Sequence, residues 1–236
     1  MGLVNTIRAI FIKDLVSEFR AKQVLPATII LGVLIAWVFR LATESTTVDK
    51  SVTAAAVLLV ALLFAAILAS ERSFAVEQQN DCISSLLLAS ADAGDIYIGK
   101  LLVNITMLCI LEVVTVPVVL VLFNVNITET WLELVTVLVL VNIGFSSVGT
   151  LLGCVVQTTK AASSLLSILV MAVLCPMIIP AIFAFLLSFG AMGAEAAGIG
   201  AVTMAGSFKT AIGYIAAFDA IFVTVCWLLF GFVAGE

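Results

Sequence analysis

Leu101–Phe123 reads LLVNITMLCILEVVTVPVVLVLF, an apolar run interrupted by one charge, Glu112. At about 1.5 Å of rise per residue, a helix of this length crosses the roughly 30 Å hydrocarbon core of a bilayer. Lipid is the solvent this stretch is built for. Working outward, comparable runs occur at about 23–41, 51–70, 134–156, 161–175 and 210–234, the last interrupted by Asp219. The expectation is an all-α polytopic membrane protein of six transmembrane helices, a single domain over residues 1–236, since only helices or closed barrels satisfy a backbone in lipid. Composition agrees: 64% of the chain is hydrophobic and 11% charged, against roughly 45–50% and about 25% in soluble domains. The 15 acidic and 10 basic residues lie thinly between the runs. They form no continuous basic surface, so nucleic-acid binding is not expected.

Upstream of the first run, Leu3, Ile7, Phe11, Leu15 and Phe19 recur every four residues, with Arg8, Lys13, Asp14, Glu18, Arg20 and Lys22 between them. That period reads as an amphipathic helix over 3–22 lying in the membrane interface and not as a signal peptide. With this helix on the cytoplasmic side, Arg8, Lys13, Arg20, Lys22, Arg72, Lys100 and Lys160 fall inside. Arg40, Lys50 and Lys209 then fall outside, the asymmetry that positive-inside insertion favours. Both termini are cytoplasmic in this arrangement.

The fifth run stays uncharged well past one crossing, and Pro176 and Pro180 each delete a backbone donor within it. A span over 161–175 followed by a re-entrant helix over 180–189 accommodates both features. Pro117 is a third helix break, leaving the carbonyl of Val113 without its donor. Glu112 and Asp219 lie at membrane depth, where an ionisable group costs about 2.5–3.5 kcal/mol. With no intramembrane Lys, Arg or His to share a proton, they are expected to be hydrogen-bonded structural carboxyls; a proton or cation relay is the sharper alternative. Gly149 and Gly153 form a GxxxG in the fourth run, which suits close packing of helices within the bundle or between two copies.

The longest polar stretch runs from Glu71 to Asp81 and is followed by Ile83, Leu86, Leu87 and Leu88. A polar rim with an apolar ridge suits a helix that docks into a groove on a soluble partner, so residues 71–100 read as a cytoplasmic coupling hairpin. At its end, Gly94-Asp95-Ile96-Tyr97-Ile98-Gly99-Lys100 matches the start of a phosphate-binding loop. Leu101, however, stands where Ser or Thr would hold magnesium, and no parallel-sheet pattern surrounds it. If ATP drives this protein, another chain binds it. The chain has no histidine, and its five cysteines stand singly, four of them inside apolar runs. Reduced structural thiols are expected, with no metal and no tightly held haem. Without a catalytic constellation, an enzyme is not expected.

Several stretches together carry a family likeness. They are Lys13-Asp14, Glu18-Phe19-Arg20-Ala21-Lys22, Glu71-Arg72-Ser73-Phe74-Ala75, Leu86-Leu87-Leu88-Ala89, Gly99-Lys100-Leu101, Glu112 with Pro117, Val148-Gly149-Thr150-Leu151-Leu152 and Ala217-Phe218-Asp219. In order and spacing they resemble the haem exporter protein B (CcmB) family over essentially the whole chain. Ser90 departs from it, standing where the family often has proline. The resemblance implies a six-helix permease of the ABC-2 (type V-like) kind in the bacterial inner membrane, paired as a homodimer. It implies a CcmA-like ATP-binding subunit, a CcmC-like haem-handling membrane protein and a CcmE-like haem chaperone as partners. ATP would sit on the partner, no cofactor would be bound directly, and haem would make transient contact at most. Glu71, Arg72, Phe74, Leu86, Leu87 and Leu88 would couple the ATPase to cytochrome c maturation, through haem export or release of the loaded chaperone. An ABC-2 permease for a lipid, drug or polysaccharide would share every feature except these motifs. An ion-coupled secondary transporter would need broken helices in two repeat halves, whereas the prolines concentrate in one.

Overall fold

The computed structural model describes residues 3–21, 24–44, 49–78, 93–158, 163–190 and 208–234. Among them lie seven helices: α1 (Leu3–Ala21), α2 (Val24–Ala42), α3 (Lys50–Gln78), α4 (Ala93–Phe123), α5 (Trp131–Thr158), α6 (Ser163–Ser188) and α7 (Phe208–Ala234). Five of them, α3 to α7, are long and apolar enough to cross a membrane, and the apolar part of α2, Pro26–Ala42, is shorter.

Three contacts fix how the ends align. Arg40 Nε donates to the Leu122 carbonyl at 2.9 Å, joining the ends of α2 and α4. Thr130 Oγ1 donates to the Ser188 carbonyl at 2.5 Å, joining the start of α5 to the end of α6. Ser167 Oγ donates to Glu71 Oε1 at 3.3 Å, joining α6 to α3 where α3 leaves its apolar span. α2 and α4 therefore run parallel, and α6 runs antiparallel to both α5 and α3, the alternation of a bundle with short connections. α5 is the central helix, packing on α3, α4, α6 and α7. In its apolar stretch 72% of the residues are buried, against 22% in α7.

Helix stops are local. Asn124 takes a left-handed conformation (φ 53°), and the Val125 amide reaches back to the Leu120 carbonyl at 3.0 Å. This is the Schellman closure that ends α4. Gly190 (φ 65°) follows the last turn of α6 in the same way.

Two expectations are corrected. α6 continues without interruption through Pro176 and Pro180 to Ser188, so no re-entrant helix begins at 180. Pro117 likewise lies inside a continuous α4. Neighbouring helices cover Pro180, which is buried, and a freed carbonyl in a packed membrane helix is tolerated by small local adjustments. The second half of the expected hairpin 71–100 is also helical, because α4 starts at Ala93 and buries Ile96, Tyr97 and Lys100 within two turns. Residues 79–92, including Leu86, Leu87 and Leu88, lie outside the described residues.

Candidate functional site

The polar side chains of the bundle interior gather on the seam between α4 and α5. Asn104 Nδ2 donates to Thr150 Oγ1 at 2.9 Å, and Thr150 Oγ1 donates onward to the Ser146 carbonyl at 2.7 Å. Two turns along α4, Asn142 Nδ2 donates to Glu112 Oε2 at 3.0 Å and lies 3.6 Å from Cys109 Sγ. The helices are antiparallel, and the register shared by the two pairs puts Ser146 opposite Leu108, midway between the rungs. Asn142, Ser146 and Thr150 recur every four residues on one face of α5, as do Asn104, Leu108 and Glu112 on α4. Below the ladder, the Tyr97 hydroxyl donates to the Ser147 carbonyl at 3.3 Å, and its ring packs on Phe230 with centroids 5.5 Å apart.

Asp219 sits on the other side of α5, at the junction of α5, α6 and α7. A Cβ built on Gly144 would lie 2.5 Å from Asp219 Oδ1 and 2.5 Å from Met177 Sδ, so only glycine lets the three helices meet there. Both Asp219 carboxyl oxygens are buried without a hydrogen-bond partner. The expectation of hydrogen-bonded structural carboxyls therefore fits one oxygen of Glu112 and neither of Asp219. Gly149 lies against Ser70 of α3, whose hydroxyl a Cβ would strike. Gly153 is buried one turn further on.

At this same C-terminal end of α5, α1 is built into the bundle. Lys100 is fully buried and faces Asp14 Oδ2 at 3.5 Å, while Lys13 holds Asp14 Oδ1 at 3.1 Å. Ile10 presses on Gly99, where a Cβ would come within 2.9 Å of its Cγ2. Ile10, Ile96, Tyr97, Leu151, Cys154, Cys226 and Phe230 form a separate core that joins α1 to the ends of α4, α5 and α7. The stripe read from the sequence is displaced: Ile7, Phe11 and Leu15 are half-buried and Ile10 is the buried contact. Ile12, Val16 and Phe19 are exposed, flanked on the helix surface by Arg8 on one side and Lys13 and Arg20 on the other.

Of the expected coupling residues, Glu71 bonds Ser167 as above, and Arg72 and Phe74 fall on the last turns of α3. Glu112 and Asp219 are both interior but face different helix junctions. Sequence reasoning missed Asn104 and Asn142, and named Lys100 and Thr150 without their buried partners. Their signal was present as polar residues every four positions inside apolar runs. Among the described residues no three His, Cys, Asp or Glu side chains converge as a metal site, and no disulfide joins Cys109, Cys154, Cys175 and Cys226. No curated protein matches the chain. A family model described as CcmB protein matches residues 5–225.

Proposed function

The chain belongs to the CcmB protein family, a component of the cytochrome c maturation haem-export ABC system, and on that premise we propose that it transmits ATP hydrolysis on a partner chain into the membrane. It is a multi-pass membrane permease subunit. In the proposed arrangement it sits in the bacterial inner membrane with six crossings, an ABC-2-type architecture and both termini cytoplasmic. It pairs as a homodimer with a CcmA-like ATP-binding subunit and works with CcmC-like and CcmE-like partners. Its task is energy transduction for haem export or for release of the haem-loaded chaperone.

One observation supports this reading most. α1 and the first turns of α4 are locked together by Asp14–Lys100 and by Ile10 against Gly99, and α4 follows directly on segment 79–92, which carries the leucine ridge. A push on that segment would thus be delivered to α1 and to the α4–α5 seam as one rigid unit, since packed elements shift between discrete arrangements and do not deform smoothly. Glu71, Arg72 and Phe74 at the end of α3 and Leu86, Leu87 and Leu88 beyond it form the proposed docking ridge. The absence of histidine from the chain favours transduction over tight haem carriage by this subunit.

Co-expression with the ATP-binding subunit tests it. Wild type is expected to co-elute with ATPase activity, and Leu86→Asp/Leu87→Asp to insert normally but lose both. Failure of wild type to associate overturns the reading.

A further inference from the structure

From the Glu112 rung to Ser146, the α4–α5 seam holds three oxygens without a partner. Glu112 Oε1, Asn142 Oδ1 and Ser146 Oγ have no hydrogen-bond partner, although the three residues are only 8%, 1% and 1% exposed. Buried polar atoms are nearly always paired, and an open one is destabilising. Three on one seam call for a ligand. The Asn142 amide is already committed to Glu112 Oε2, so the seam offers a carboxylate oxygen, an amide oxygen and a hydroxyl.

We propose that this seam binds one monovalent alkali cation, coordinated by Glu112 Oε1, Asn142 Oδ1 and Ser146 Oγ. An all-oxygen donor set suits a hard cation, and a transition metal would call for nitrogen or sulfur ligands. One carboxylate balances one positive charge, whereas a divalent ion would leave net charge at membrane depth. Ser146 lies one turn from Asn142 on the same face of α5, so both side chains look onto the seam with α4. The ion would pin α4 to α5 at the middle of the bundle. This inference stands on the seam alone and not on the permease reading.

Thermal unfolding of the purified full chain in lipid nanodiscs, followed by tryptophan fluorescence, tests it. Choline chloride is replaced by LiCl, NaCl or KCl at constant ionic strength. The midpoint is expected to rise saturably with at least one alkali salt. Glu112→Gln should abolish that rise, and Ser146→Ala should keep it with half-saturation roughly tenfold weaker. Should Glu112→Gln fail to fold, Ser146→Ala decides alone. Equal midpoints in choline and all three alkali salts overturn the proposal and leave the oxygens to ordered water. A rise that neither substitution alters overturns it equally.

Discussion

At the residue scale, what a buried position tolerates follows from what its neighbour does with the space. Gly144→Ala would drive a methyl into Asp219 Oδ1 and Met177 Sδ, and overpacking of this kind costs about 1–3 kcal/mol. Gly213, on the exposed side of α7, has nothing within 4 Å of an added Cβ, so Gly213→Ala should gain up to about 1 kcal/mol of helix propensity. Thermal unfolding in detergent should move the two variants in opposite directions. The Asp14–Lys100 pair is asymmetric. Lys100→Met leaves Asp14 with Lys13 at 3.1 Å and a side chain 14% exposed, a loss of about 1 kcal/mol. Asp14→Asn removes the carboxylate from Lys13 and from the fully buried Lys100 at once, a larger loss than removing one partner. The same unfolding measurement should rank Asp14→Asn well below Lys100→Met. Glu112 and Asp219 were visible in the sequence as lone charges in apolar runs. Lys100 was not, because a lysine before an apolar run has the same pattern whether it closes a loop or is covered by a helix from far upstream.

At the scale of elements, the apolar runs located every long helix, because in lipid a run of that length has few other options. Their ends were legible to within a turn at α5 and α7. α4 starts eight residues before its apolar core because Gly94 and Gly99 admit Trp227 and Ile10, a tertiary reason that no local pattern displays. The prolines misled for a related reason: in water they break helices, whereas within a packed bundle the helix around them persists. Pro176 is exposed and should be dispensable. Pro176→Ala restores a backbone donor and is expected to leave the unfolding midpoint unchanged or raised. In α1, the four-residue period identified amphipathicity but not which face meets the bundle, since the helix carries apolar residues on both sides. Ile10 faces the core, and the ridge Ile12, Val16 and Phe19 between basic residues faces outward, the arrangement of an interfacial helix. A fluorophore at Phe19 should be quenched by lipids brominated near the headgroup, and one at Ile10 should not.

At the scale of the whole molecule, two regions stand apart: a large core joining α2 to α7, and a smaller one that ties α1 to the ends of α4, α5 and α7. α4 begins at the smaller core, at the end of the bundle opposite the Arg40–Leu122 contact. That placement generates the central claim, that this end receives the ATP-binding partner. The most direct measurement is site-specific photo-crosslinking in intact membranes, with the crosslinker at Leu87 or at Val121, an exposed residue near the other end of α4. The account predicts an adduct with the ATP-binding subunit from Leu87 and none from Val121. Adducts from Val121, or none from Leu87 in a membrane where the two subunits are present together, would contradict it.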